Sequence, residues 1–316
     1  MKNIGRIVDR RTVNKERLGR KGYIRNMAPI DFKSRISEKP GDIMTIASTE
    51  VVTIPPTMAV IDAVKTMLNH GFRRLPVTDA GTKRLKGIVT SQDIVDFLGG
   101  GNRNLVIKNK FQGNLLAAVN GSISEIMEEN VISLNEKDSL KDALNTMLNK
   151  NIGGIPITDS EDRVAAIITE RDFVFLSSGI ITGKTVNDYM SKKIVTSPSD
   201  MSVEGATRSM INNGFRRLPI IRDNVLIGII TASDIMRFLG SGEIFNKLIS
   251  GKHGEVFDVA VSTLINRDVV STTSDIDLGE AAEIMLDKNV GALPVLEEGE
   301  LKGIITERDF VRAMAE

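Results

Sequence analysis

The stretch "NIGGIPITDSEDRVAAIITERDF", residues 151–173, contains an apolar run with a proline, a polar turn, a second apolar run and then Thr-x-x-Asp. It returns at 289–310 as "NVGALPVLEEGELKGIITERDF". Two looser copies are "GFRRLPVTDAGTKRLKGIVTSQDI" at 71–94 and "GFRRLPIIRDNVLIGIITASDI" at 214–235. The offset from GFRRLPV to GFRRLPI is 143, from NIGGIPI to NVGALPV 138, and from FLGGG (97–101) to FLGSG (238–242) 141. The order is therefore A-B-A′-B′, a duplicated two-unit block, and repeats of this length are supersecondary units that bury their apolar faces on one another.

Each copy carries the same grammar. A short β-rich piece ("VVTI", "VISL", "KIVTS", "DVVST") precedes an amphipathic helix, as in "SLKDALNTMLNK", where Leu140, Leu144, Met147 and Leu148 share one face. Ser139, Ser202 and Asp277 stand where N-caps belong. The helices should stop at Gly71, Asn151, Gly214 and Asn289, residues that tolerate the left-handed conformation. Pro76, Pro156, Pro219 and Pro294 are expected to open the next strand, where a proline costs no ladder bond. A turn, another strand and a second helix starting inside Thr-x-x-Asp complete a β-α-β-β-α unit. One unit is too small to bury much core, so its helices should pack on a neighbour, and a pair of units is the expected stable body. The expected division is a basic extension at 1–40, units at 41–100, 122–178, 186–241 and 263–316, inserts at 101–121 and 242–262, and a linker at 179–185. "NLLAAV" and "EIFNKLI" are candidate helices of the two inserts.

The 316 residues are 41% hydrophobic and 26% charged, an ordinary globular composition. Lys+Arg and Asp+Glu both number 41, so no overall field steers a charged partner. The charge is nonetheless uneven: residues 1–40 hold 12 basic and four acidic side chains, 12 − 4 = +8, which leaves about −8 on the rest. The absence of cysteine rules out disulfides and thiolate metal sites and fits a reducing cytoplasm, the expected location. No apolar run approaches the roughly 18 residues of a membrane span. His70 and His253 have no companion histidine, so no zinc site is expected, and His70 falls at a helix end suited to the dipole. "GIITGKT" at 179–185 has three residues between its glycines where a phosphate loop needs four, and reads as linker. No acid–base or nucleophilic constellation is apparent, so an enzyme is not expected. The basic arm could meet nucleic acid or an acidic partner, but with Tyr23 and Phe32 as its only aromatics an extension packing on the neighbouring unit is favoured.

The Thr-x-x-Asp elements are Thr90–Asp93, Thr169–Asp172, Thr231–Asp234 and Thr306–Asp309. Thr at an N-cap with an acid three residues on is close to a capping box, although Glu or Gln is the usual third residue. A short carboxylate at a strand–helix junction also suits a vicinal diol, the task of the acidic ribose-binding residue in dinucleotide folds. Spacing alone leaves both readings open. A second column adds to the site reading: Thr53, Ser133, Thr196 and Ser271 place a hydroxyl seven residues before each first helix.

These four copies, with their LP or IP strand and Thr-x-x-Asp helix start, resemble CBS domains, and each half resembles a tandem CBS pair, or Bateman module. The resemblance covers nearly everything from residue 41 onward and is similar in arrangement to archaeal stand-alone CBS proteins and to the γ subunit of the AMP-activated kinase. It implies a mixed α/β (α+β) fold of four β-α-β-β-α units in two pseudo-two-fold pairs, with ligand clefts between paired units. It implies that Asp93, Asp172, Asp234 and Asp309, helped by Thr90, Thr169, Thr231 and Thr306, hold the ribose of an adenosine derivative. The adenine would lie by the first strand, around Ile54 and Leu134, in the column of Thr53, Ser133, Thr196 and Ser271. Phosphates would meet Arg73, Arg74, Arg216 and Arg217 beside the LP strands and Arg171 and Arg308 within TERD, with strand alternation expected to turn one member of each pair away. The expected ligands are AMP, ADP or ATP, with S-adenosylmethionine as the rival, and no cofactor or metal is required. The implied role is non-enzymatic sensing read by a protein partner not identified by sequence; a nucleic-acid regulator using the arm is the other class. The resemblance also implies a disc formed within one chain by the two halves, and leaves a homodimer open.

Overall fold

The computed structural model describes residues 36–223, 225–240 and 257–316. Most of the basic arm, His253 and the candidate insert helix EIFNKLI lie outside the described residues.

Unit 1 comprises α1 (Val60–His70), β1 (Arg74–Thr78), β2 (Leu85–Thr90) and α2 (Ser91–Gly99). The first insert adds α3 (Asn104–Asn109) and α4 (Leu115–Val119), the latter capped by Asn114. Unit 2 runs through β3 (Leu134–Asn135), α5 (Leu140–Lys150), β4 (Gly154–Thr158), β5 (Val164–Thr169) and α6 (Glu170–Ser177). After α7 (Val186–Tyr189), unit 3 holds β6 (Ser197–Pro198), α8 (Val203–Asn213), β7 (Arg217–Arg222), β8 (Val225–Thr231) and α9 (Ala232–Gly240). Unit 4 holds α10 (Leu278–Asp287), β9 (Ala292–Glu297), β10 (Glu300–Thr306) and α11 (Glu307–Ala315). The expected β-α-β-β-α order is present, with the first strand of units 1 and 4 reduced to the single parallel bridges Ile54–Val77 and Thr272–Val295.

Local punctuation explains the helix limits. Ser139, Ser202 and Asp277 accept backbone N–H bonds as N-caps, and Gly71, Asn151, Gly214 and Asn289 take φ of 65°, 52°, 67° and 52° at the helix stops. His70 is the last residue of α1 and stacks on Phe72 with ring centroids 5.2 Å apart.

The prolines correct the expectation from sequence. Each is the third residue of its strand, not the first: Pro76 in β1, Pro156 in β4, Pro219 in β7 and Pro294 in β9. They are tolerated because their missing N–H faces the short first strand. In unit 1 that strand bonds only through Ile54 N–H to Pro76 O (3.1 Å) and Thr78 N–H to Ile54 O (2.9 Å). With no N–H at Pro76, the parallel ladder cannot extend backward, so the first strand stays short.

The packing also corrects the expected body. Tandem units touch along sheet edges by few bonds: Leu85 N–H to Asp162 O (2.9 Å) joins units 1 and 2, and Glu300 pairs with Val225 to join units 3 and 4. The helical faces pack across the halves instead. Helix α2 lies on α8 and α9 on α1 and α2, so units 1 and 3 share one core; α6 lies on α10 and α11, and α5 on α11, so units 2 and 4 share the other. The first core contains Val64, Met67 and Phe97 with Met210, Leu239 and Phe257; the second contains Met147 and Phe173 with Met285, Phe310 and Met314. Burying each such side chain stabilises the fold by about 1.5–3 kcal/mol. Gly99 permits the close α2–α8 crossing, since a Cβ there would stand 2.5 Å from the Thr207 Cβ. Leading segments cross between tandem partners as well: Asp42 Oδ1 accepts from Leu140 N–H at 2.9 Å, and Ser48 bridges to Ile167 of unit 2. The two halves are one interlocked body.

Candidate functional site

All four Thr-x-x-Asp elements form the cap. In each, the Asp Oδ2 accepts both the backbone N–H and the hydroxyl of the Thr: 2.7 and 2.8 Å at Asp93, 2.7 and 2.9 Å at Asp172, 2.9 and 2.6 Å at Asp234, and 2.8 and 2.9 Å at Asp309. Asp therefore performs the reach usually assigned to Glu. Both hydrogen bonds fall on one carboxylate oxygen, which leaves the other oriented by the cap. At Asp93 that second oxygen pairs with Arg103 of the insert at 3.1 Å, and the Arg103 Nε donates to Ile126 O at 2.6 Å. Among the described residues, at Asp234 and Asp309 it meets Arg237 (2.7 Å) and Arg312 (3.3 Å), one turn along the same helix and 67% and 50% exposed. Burial raises the Asp93 carboxyl above its usual value against the pull of Arg103, and burial likewise raises Asp309 against its Thr306 hydrogen bonds.

The sheet registers set a basic residue beside this cap. Arg74 is directly opposite Thr90 and Arg217 opposite Thr231, whereas Gly154 and Ala292 face Thr169 and Thr306. Arg73 and Arg216 lie in the bend before their strands, where alternation does not apply. Both members of each pair reach residues of units 2 and 4, where the four units meet, in place of the expected arrangement in which one turns away.

There the six candidate phosphate arginines meet two glutamates. Glu307 accepts from Arg73 and, at 3.0 Å, from Arg171; Glu170 accepts from Arg216 at 2.9 Å and Arg308 at 3.3 Å. Arg74 donates to Gly153 O, and Arg217 to Gly291 O at 2.6 Å. Arg171 also holds Val290 O (3.1 Å) and Asn289 Oδ1 (2.9 Å), and Arg308 holds Ile152 O (3.1 Å) and Asn151 Oδ1 (3.0 Å). The arginines sit close against glycine: a Cβ at Gly154 would displace the Arg74 guanidinium, and one at Gly291 would displace that of Arg73.

Among the described residues the cluster sets six guanidiniums against two carboxylates, an excess of four positive charges. Its electrostatics follow. Burial and the neighbouring Arg216 lower Arg74 to about 10, and burial with Arg73 and Arg216 lowers Arg217 to about 9. Burial would raise Glu307, but Arg73, Arg171 and Arg217 outweigh it and hold the carboxyl at about 2. Glu307 in turn raises Arg73. The guanidinium forks are thus held together by fewer carboxylates than they have charges, a setting that suits an added anion.

The remaining candidates sit on the first strands. Ile54 is buried, Leu134 pairs with Ile157, and Thr53, Ser133, Thr196 and Ser271 precede the pairing residues Ile54, Leu134, Ser197 and Thr272. None of these four hydroxyls hydrogen-bonds to a motif aspartate among the described residues. Sequence reasoning missed Glu170, Glu307, Gly153, Gly291 and Arg103. The signal for the first four was present: units 1 and 3 carry Arg-Arg with Ser91 or Ala232 after the motif Thr, while units 2 and 4 carry Gly-Gly or Gly-Ala with Glu there. Among the described residues no cluster of side chains suits a metal ion, and no helix is long and apolar enough to cross a membrane.

Four repeated units with a Thr–Asp helix start at the end of each second strand define a tandem CBS architecture, and the family model for the CBS domain matches residues 41–100, 123–179, 186–241 and 261–316. The chain belongs to the CBS-domain family. It is 40% identical over 276 residues to protein MJ1225 of Methanocaldococcus jannaschii, spanning 86% of this chain and 99% of that one. The crystal structure of MJ1225, which is proposed as an archaeal homologue of γ-AMPK, superposes with a TM-score of 0.81 over 85% of this chain and 98% of that chain. A 33.4 kDa protein from the ribosomal RNA operon of Thermofilum pendens is 29% identical over 88% of this chain and 91% of its own length. A conserved protein of Pyrococcus horikoshii shares the fold, with a TM-score of 0.57 at 20% identity over 86% of this chain and 99% of its own.

Proposed function

We propose that the protein is a non-enzymatic sensor that binds adenine nucleotides (AMP, ADP or ATP) between paired CBS units, with the phosphates directed to the central arginines. The excess of four positive charges in that cluster, adjacent through strand register to the capped aspartates, is the observation that carries the reading. The cap uses one oxygen of each motif Asp; a ribose diol would bind the other, exchanging with Arg103 at Asp93, Arg237 at Asp234 and Arg312 at Asp309. Gln92, beside Asp93, keeps a buried side-chain oxygen without a hydrogen-bond partner among the described residues, an acceptor suited to a ligand donor. The likeness to MJ1225, which is proposed as an archaeal homologue of γ-AMPK, supports reading this chain as a γ-AMPK-like protein. S-adenosylmethionine offers the same diol and adenine, but its sulfonium and ammonium outweigh its one carboxylate where AMP carries a dianionic phosphate, so an excess of arginines favours AMP. Ligand bridging two units would bias their relative placement, and because the cores cross between halves a partner protein could read that bias as a population shift.

Calorimetric titration of AMP, ADP and ATP into the native chain and into Asp93→Ala, Asp172→Ala, Asp234→Ala and Asp309→Ala tests the reading. Removing a charge-assisted hydrogen bond at an occupied site should weaken binding by about 1.5–3 kcal/mol, or roughly 10–150-fold. Native affinity in every variant, with only thermal stability lost, would reduce the aspartates to helix caps.

A further inference from the structure

Glu170 and Glu307 occupy the second position of the two TERDF motifs, and neither is used by the nucleotide reading. Both are 3% exposed, in a position that units 1 and 3 fill with Ser91 and Ala232. The cap does not need them: it is complete with Thr169–Asp172 and Thr306–Asp309. Their partners follow a pattern. Glu307 belongs to unit 4, yet its carboxylate binds Arg73 of unit 1 and Arg171 of unit 2, both in the first half. Glu170 belongs to unit 2, and binds Arg216 of unit 3 and Arg308 of unit 4, both in the second half.

We propose that these glutamates act as internal stand-ins for ligand phosphate, each restraining the arginines of the opposite half, and that they couple nucleotide binding in one half to the other. This rests on the nucleotide reading above. A carboxylate and a phosphate present a guanidinium with the same pair of acceptor oxygens. Without the glutamates, six guanidiniums would repel one another in a largely desolvated space; with them, the ligand-free molecule is stable but its forks are partly filled. A phosphate arriving in the first half must draw Arg73 or Arg171 away from Glu307. Glu307 cannot follow far, since its N–H is bonded to Gly291 O at 3.3 Å and it lies in the same helical turn as Arg308 and Asp309 of the second half's own site. The released carboxylate is left near Arg217, so occupancy in one half alters the charge facing the arginines of the other. The TERDF sequence thereby combines a cap and ribose contact (Thr, Asp), a cation reaching across (Arg) and a restraint on the opposite half (Glu).

The test is calorimetric titration of AMP into the intact chain carrying Glu307→Gln or Glu170→Gln. Each is repeated with the first half's aspartates removed (Asp93→Ala with Asp172→Ala) or the second half's (Asp234→Ala with Asp309→Ala). Glu307→Gln should tighten AMP about ten-fold. The gain should persist without the second half's aspartates and vanish without the first half's, and Glu170→Gln should show the mirror pattern. An unchanged or weakened affinity, or a gain that follows the variant's own half, would overturn the proposal. Circular dichroism checks folding at the titration temperature; if either Gln variant is unfolded, Glu→Asp, whose shorter reach loosens the clamp, should give a smaller gain of the same sign. If the native chain binds no adenine nucleotide, the nucleotide reading fails separately. Inorganic pyrophosphate is then titrated into the same variants: tightening by the Gln substitutions supports the stand-in role, and no change removes it.

Discussion

Replacing Glu307 by Gln keeps the shape of the side chain and removes the charge that two arginines share. The carboxyl sits at about 2 in the folded protein against 4.5 for an unperturbed Glu. For a carboxyl buried to 3% exposure, that difference corresponds to about 3 kcal/mol of stability at neutral pH. The figure agrees with the range of about 3–5 kcal/mol for breaking a buried ion pair from one side. The sign follows from the depressed value. The contribution is fully present above about 4.5, where the unfolded chain is also ionised, and is lost as pH falls toward about 2, where the folded carboxyl takes up its proton. Urea unfolding followed by circular dichroism at a series of pH values from 7 down to 2.5 measures it. The native chain should exceed Glu307→Gln by about 3 kcal/mol at pH 7, with the gap shrinking below about pH 4.5 and small at pH 2.5. A gap that stayed constant with pH, or one below 1 kcal/mol at neutrality, would refute the claim that the carboxylate is held by Arg73 and Arg171. With the binding prediction above, this variant should be less stable yet tighter for phosphate, an opposition that a merely structural ion pair would not produce.

Arg103→Ala should leave the Asp93 carboxylate buried and short of its cation, costing about 1.5–3 kcal/mol in urea unfolding and moving the Asp93 titration, followed by carbon-detected NMR, further above its usual value. Because each core is shared between halves, fragments 1–185 and 186–316 should each self-associate when made alone and combine into a one-to-one complex when mixed, as read by light scattering; two stable monomers would contradict the packing.

Features set within a few residues of chain were legible in the sequence. The repeats fixed four units, Ser139, Ser202 and Asp277 marked helix starts, and Gly71, Asn151, Gly214 and Asn289 marked their ends, because caps and left-handed stops are local events. The amphipathic stripe of α5 showed that Leu144 and Met147 need cover but carried no record of the partner, so the cross-half core was not foreseen. A rule about ladder bonds puts Pro156 at a strand's start, whereas the side of the strand that its nitrogen faces is what matters, and it is the third residue of β4. The arginines were found by charge and position. Their convergence was not, since Arg73 and Arg216 lie in bends where alternation gives no guidance. Glu170 and Glu307 stand inside the most repeated motif, where an acid in the first turn of a helix is unremarkable. Only the complement between Arg-Arg with Ser or Ala and Gly-Gly or Gly-Ala with Glu distinguishes them, and that pattern has meaning only once the four units face one another.

In the proposed mode of binding, the arginine cluster holds an adenosine ligand through its phosphate. Calorimetry comparing AMP, adenosine and S-adenosylmethionine on the same native chain tests it most directly. AMP should bind at least about ten-fold tighter than either of the others, since a charge-assisted phosphate contact contributes about 1.5–3 kcal/mol that neither can make. Adenosine or S-adenosylmethionine binding as tightly as AMP would contradict it.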